Sequence, residues 1–246
     1  MSKRKLKIWE LNFLQRNNIN PKNLNLNNNF PIEYLIGKSQ FCNLILNINP
    51  PILIPRIETE ELIDFSFKLI KNYKKIIKIA EVGTGSLAIS LALAHMLQQT
   101  NQRYQITASD ISHQALKLAK KNLQLLKLKN ITLIYSDLLS NYPHKKFDLI
   151  LANLPYIPTA RLANLAKSVT NYEAISALNG GQDGLSLIIQ LMHQIKFYLT
   201  KNGHFILEID SSHQLKQFKQ FQKIYKLKIV KDCSQRNRFL IGQFQI

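Results

Sequence analysis

From about residue 57 onward, apolar positions alternate between helical spacing and short continuous runs. Glu58 to Tyr73 places Leu62, Ile63, Phe65, Phe67, Leu69 and Ile70 along one helical face, and Ile76 to Val82 is a buried-type strand that closes on a glycine loop. The same rhythm predicts helices over Ala88–Leu97, His113–Leu126, Gly184–Leu199 and Ser212–Gln222. It predicts strands over Ile106–Ala108, Ile131–Tyr135, Phe147–Ala152, His204–Ile209, Ile224–Val230 and Phe239–Phe244. Such alternation implies a doubly wound, mostly parallel α/β sheet with helices on both faces.

Upstream the rhythm changes. Phe41, Leu44, Leu46 and Ile48 alternate and are followed by Pro50-Pro51-Ile52-Leu53-Ile54-Pro55, which together read as two short strands joined by a turn. Residues 1–30 carry short apolar patches separated by asparagines, notably Asn23 to Asn29, and read as a helical lead-in with a polar linker. The expected organisation is therefore an N-terminal segment over 1–30, a hairpin element over 31–56 and a main domain over 57–246.

Composition narrows the class. Hydrophobic residues make up 46% of the 246 and charged residues 20%, so the chain is globular and can build a core without disulfides or metal. The only cysteines, Cys42 and Cys233, form no Cys-x-x-Cys pair, and the histidines, His144 among them, lack metal-ligand spacing. No metal site is expected, and the setting is reducing and cytoplasmic. The basic stretch Met1–Asn20 mixes Trp9, Glu10, Asn12 and Gln15 into its apolar positions, which argues against a signal peptide or membrane span. Net charge is +18, a field that would favour transient contact with RNA or the ribosome, although lysines spread over surface helices also serve as plain solvation. A monomer is expected.

Glu81-Val82-Gly83-Thr84-Gly85-Ser86-Leu87-Ala88 lies between a strand and a helix and fits G-x-G-x-x-A. Glycines there allow a sharp turn and a close ligand approach. The next strand ends at Asp110, which offers a carboxylate to ribose hydroxyls. Dinucleotide and methyl-donor enzymes share both devices. The acidic Glu81 at the loop favours a cofactor carrying a cationic sulfonium and an amino group over a pyrophosphate.

Phe147 to Pro158 is the most specific stretch, with Asn153-Leu154-Pro155-Tyr156 at the carboxyl end of a buried strand. A carbonyl-conjugated NH2 is a poor nucleophile and must be oriented. The Asn153 side-chain oxygen and the Leu154 carbonyl can each accept one of its two N–H bonds, Pro155 biases Leu154 to extended geometry, and Tyr156 can stack on a flat acceptor.

These residues resemble the HemK/PrmC protein-glutamine methyltransferases, which modify the Gly-Gly-Gln loop of peptide-chain release factors. The similarity spans residues 31–246 and includes Glu33 to Gly37, Phe41, Leu53 to Glu60, Tyr172-Glu173, Ala177-Leu178 and Gly180-Gly181-Gln182-Asp183-Gly184. It implies a Rossmann-like class I methyltransferase fold, seven-stranded with an antiparallel last strand. It implies S-adenosylmethionine as donor, S-adenosylhomocysteine as product and a release factor as protein substrate. Donor contacts are implied for Gly83, Thr84, Gly85, Ser86, Leu87 and Asn153, with ribose at Asp110 and adenine near Asp137 and Leu138. Arg56 and Glu58 would sit beside the active site, a place that a salt bridge at the helix start would also explain.

Three positions depart from the family pattern. Leu154 stands where a first Pro is usual, Leu87 replaces a common Gly, and only about thirty residues precede the similarity, where the family has a larger helical domain. Because Asn-Leu-Pro-Tyr also occurs in enzymes that methylate adenine in ribosomal RNA, an RNA adenine methyltransferase is the alternative. A non-catalytic cofactor-fold binding module is the other.

Overall fold

The computed structural model describes residues 6, 8–16, 18–23, 30–143 and 146–245. Most of the Asn-rich linker, residues 24–29, and His144 lie outside them. The lead-in forms α1 (Ile8–Arg16) and a single 3-10 turn over Pro21–Asn23. Its Phe13 and Leu14 pack on Ile32 of α2 (Ile32–Ile36). Glu33 to Ile36 is thus helical rather than hairpin, and Gly37, at φ +73°, closes it.

The hairpin is β1 (Lys38–Phe41) and β2 (Leu44–Asn47), paired antiparallel. Its turn is Cys42-Asn43. Pro50 to Ile52 forms a turn and bend, with Ile52 N donating to Asn49 O at 3.1 Å, and Leu53 to Pro55 joins no strand, so this stretch is not the expected second strand. Prolines at 50, 51 and 55 lack the N–H that a ladder needs.

The main sheet comprises β3 (Ile77–Val82), β4 (Tyr104–Asp110), β5 (Ile131–Tyr135), β6 (Phe147–Ala152), β7 (Leu199–Glu208), β8 (Tyr225–Lys231) and β9 (Asn237–Phe244). Their order is β5-β4-β3-β6-β7-β9-β8. Strands β3 to β7 are parallel, and β9 runs antiparallel between β7 and β8. The alternation of β6 serves both faces: Leu149 and Leu151 join one core with α3 (Ile57–Ile70) and α4 (Ala88–Gln99). Ile150 and Ala152 join the other, with α7 (Ser186–Tyr198), and α5 (His113–Leu126) adds Ala119 to the first. A four-residue helix, α6 (Lys167–Thr170), lies in the long connection after β6.

Two elements differ from the sequence reading for physical reasons. The helix expected over Ser212–Gln222 is a 3-10 helix over Leu215–Phe221. Its apolar residues Leu215, Phe218 and Phe221 recur every third position, the period of a 3-10 turn. Strand β7 begins five residues before His204, where polar Thr200-Lys201-Asn202 conceals it from a search for apolar runs. Among the described residues, no helix is long and apolar enough to cross a membrane, and no group of three or more His, Cys, Asp or Glu could hold a metal.

Candidate active site

Order reverses at β3, with β4 on one side and β6 on the other, and ligands of open α/β sheets bind beyond the carboxyl ends of such strands. There the loops after β3 and β6 face a cavity of about 450 Å³. Gly83 and Gly85 are left-handed at φ +74° and +53°. A Cβ on Gly83 would lie 2.8 Å from Leu154 Cδ2, so the Leu of the second loop seats directly on the first. Thr84 N donates to Ser109 O at 2.8 Å, tying the loop to β4. Asp110 accepts from Gly85 N and Ser112 N, each at 2.8 Å, which fixes its carboxylate at the cavity edge. Asp137 and Leu138 line the adjacent wall. Leu87 does not: it is left-handed at φ +71°, and its fully buried side chain enters the main core.

Glu81 lies 1% exposed beneath the loop, with Oε2 accepting from the Ser90 amide at 3.1 Å and from the Ser90 hydroxyl. Its Oε1 and the buried Thr84 hydroxyl, which stands near enough to the carboxylate to favour its charged form, complete no hydrogen bond of full geometry among the described residues. Buried acceptors left open in this way suit a donor molecule bearing an ammonium group and positive charge. Burial raises the Glu81 carboxyl to about 7. In the ligand-free protein its contribution to stability is therefore full below about pH 4.5 and is lost as pH rises through about 7. A cationic ligand reverses the preference, so binding should strengthen from pH 6 to pH 8 and release a proton. Calorimetry in two buffers of different ionisation enthalpy reads that proton; buffer-independent heats would remove Glu81 from the role.

On the second loop, Asn153 Nδ2 donates to Thr59 Oγ1 at 3.1 Å, and Thr59 Oγ1 donates to Glu208 Oε2 at 2.8 Å. Asn153 lines the cavity, and no hydrogen bond among the described residues uses its Oδ1 or the Leu154 carbonyl. Tyr156 differs from expectation. Its hydroxyl donates to Glu208 Oε1 at 2.9 Å, and its ring is not part of the cavity wall, so it anchors the loop from behind rather than offering a stacking face.

The Gly-rich segment supports that loop. Gly180 N donates to Ile157 O, Ile157 N to Leu178 O and Thr159 N to Gly181 O, all within 3.0 Å. A Cβ on Gly180 would meet Pro155 O and Tyr156 Cα at 2.7 Å. His213 donates through Nε2 to Asp183 O and accepts at Nδ1 from Asp210 N, a purely structural arrangement.

A further part of the wall comes from Pro51, Ile52, Leu53 and Pro55 together with Ala174 and Ala177. Pro51 O accepts from Ala174 N at 2.8 Å, and Tyr34 donates its hydroxyl to Ile52 O at 2.6 Å. Arg56 pairs at 2.6 Å with Glu173, whose side chain is 1% exposed, and not with Glu58. Glu58 is half-buried at the start of α3 and, like Arg56, does not line the cavity. Asn122 of α5 bonds Asn47 through both its ends and reaches Ser86 O, locking hairpin, helix and donor loop together.

A family profile described as a methyltransferase domain matches residues 73–240. A release factor glutamine methyltransferase from Thermodesulfovibrio yellowstonii is 33% identical over 222 residues, covering 87% of this chain and 76% of that protein. The chain belongs to the release factor glutamine methyltransferase family. A second member, from Lactococcus lactis subsp. lactis, is 38% identical, covering 75% of this chain and 65% of its own length. The chain thus spans about two thirds to three quarters of these relatives. Among solved structures, a ribosomal protein L11 methylase from Lactobacillus delbrueckii subsp. bulgaricus matches with TM-score 0.55 at 21% identity, over 81% of this chain and 84% of that one, a likeness of fold. The protein is a class I methyltransferase of the S-adenosylmethionine-dependent kind.

Within this methyltransferase, Glu208, Thr59 and Asn122 support the site without having been singled out as site residues in the sequence. One signal was available for Glu208: a carboxylate ends the apolar run Phe205-Ile206-Leu207, beside the strand that carries Asn153. Asn122 gave none, since a lone amide on a lysine-rich helix reads as surface.

Proposed function

We propose that the protein transfers a methyl group from S-adenosylmethionine to the side-chain amide nitrogen of the glutamine in the Gly-Gly-Gln loop of peptide-chain release factors. S-adenosylmethionine, when bound, supplies the electrophilic methyl group. Glu81, Thr84 and the Gly83–Ser86 loop hold the amino-acid end, Asp110 takes the ribose hydroxyls, and Asp137 and Leu138 flank the base. The observation that carries the reading is Asn153, which lines the cavity with its carboxamide nitrogen tied to Thr59 and its Oδ1 without a hydrogen bond among the described residues. Together with the Leu154 carbonyl it can accept both N–H bonds of a primary amide and fix the nitrogen in place, which is where positioning contributes to rate.

The proposed setting is the cytoplasm, with the enzyme a monomer. Residues 111–136 contain no Asp or Glu and expose Lys117, Lys120, Lys121, Lys127 and Lys129, a face suited to transient contact with RNA or the ribosome. The deciding experiment offers isotopically labelled S-adenosylmethionine to purified release factor and, separately, to ribosomal RNA, and locates the label by mass spectrometry. Label on the Gly-Gly-Gln glutamine is expected; label on adenine alone would replace this reading with the RNA one.

A further inference from the structure

Glu208 ends β7 beside the end of β6 and is 1% exposed. It accepts one hydroxyl proton at each oxygen, from Thr59 at 2.8 Å and from Tyr156 at 2.9 Å. These two donors come from different elements, the first turn of α3 and the loop after β6. Burial pushes Glu208 toward its neutral form, and the two hydroxyls and the nearby Arg238 oppose that, while Glu58 adds to it.

A hydroxyl carries one proton. With that proton given to the carboxylate, Thr59 can offer Asn153 only lone pairs, so the Asn153 carboxamide must turn its NH2 to Thr59 and its oxygen away. The two ends of a carboxamide are nearly the same shape, so packing alone cannot choose between them; the direction of the Thr59–Glu208 hydrogen bond can. Turned the other way, Asn153 would set its own NH2 against the NH2 of the methyl acceptor, donor against donor.

We propose that Glu208 is a positioning residue, which sets through Thr59 which end of Asn153 faces the methyl-accepting NH2 group and holds Tyr156 in register with it. The proposal rests on the reading of Asn153 as the substrate clamp. It adds that the clamp is oriented by a buried carboxylate from a different strand.

The test compares Thr59→Val, Thr59→Ser, Glu208→Gln and the double variant Thr59→Val with Glu208→Gln, all in the full chain. Thr59→Val and Glu208→Gln should each lower kcat on release factor by about 10²-fold with S-adenosylmethionine affinity unchanged. Thr59→Ser, which keeps the hydroxyl, should return kcat to near the wild-type value. The double variant should fall little below Thr59→Val, because both act along one path. In ¹⁵N-labelled protein the Asn153 carboxamide resonances should shift in Thr59→Val and Glu208→Gln and return in Thr59→Ser. Wild-type kcat in Thr59→Val, equal loss in Thr59→Ser, or unshifted carboxamide resonances would overturn the relay. Absence of glutamine methylation by the wild-type enzyme would instead sink the substrate reading, and the resonances would still decide the relay.

Discussion

Asn153→Ala is expected to lower the single-turnover methylation rate by about 10²- to 10³-fold, the loss typical of removing one preorganised polar contact to a reacting group. The affinity for S-adenosylmethionine should stay near the wild-type value, because Glu81, Thr84 and the carboxylate of Asp110 belong to β3, the loop after it and the end of β4, not to the loop that carries Asn153. Alanine removes the Asn153 carboxamide, which lines the cavity and whose Oδ1 makes no hydrogen bond among the described residues. It leaves the Leu154 carbonyl to hold one of two N–H bonds, so the acceptor nitrogen is free to rotate about that single contact. Rapid-quench kinetics with saturating donor separates the two effects. A rate within threefold of wild type would rule out the clamp, and a parallel loss of donor affinity would show that Asn153 belongs to the donor site instead.

The elements that position this chemistry were legible where the sequence pattern had one meaning. Glu81 to Ala88 and Phe147 to Tyr156 combine a buried run with a terminating polar group, and in the folded chain they end β3 and β6 at the same cavity. Other features depended on tertiary partners that local pattern cannot name. Arg56 could pair with the nearby Glu58 or with a distant acid, and 117 residues separate it from Glu173, its partner in the fold. Tyr156 followed a motif known for flat acceptors, yet Glu208 draws its hydroxyl away from the cavity. Leu87 occupies a position in the loop but, with φ +71°, points its side chain to the core and gives the backbone a turn that glycine would make without strain. Loop position alone therefore does not assign a ligand contact.

Gly184→Ala should abolish most turnover although Gly184 does not line the cavity. Its φ is +80°, and a Cβ there would lie 2.1 Å from Tyr156 O and 3.0 Å from Tyr156 C. No side-chain rotation relieves a clash with main chain, so the loop that carries Asn153 to Tyr156 must move. A displacement near 1 Å costs about 10²-fold in rate. His213, which ties Asp183 O to Asp210 N and stands 3.1 Å from the new Cβ, blocks retreat on the other side. Gly37→Ala supplies the control. It has a similar φ, +73°, but its nearest neighbour would be Ile48 O at 3.9 Å, so it carries only the backbone cost of about 1–2 kcal/mol. The expected pattern is a lower melting temperature in both variants, with kcat retained in Gly37→Ala and reduced by about 10²-fold in Gly184→Ala at unchanged donor affinity. Equal kcat in the two variants would mean that the Gly-rich segment stabilises the fold without setting the geometry of the acceptor loop.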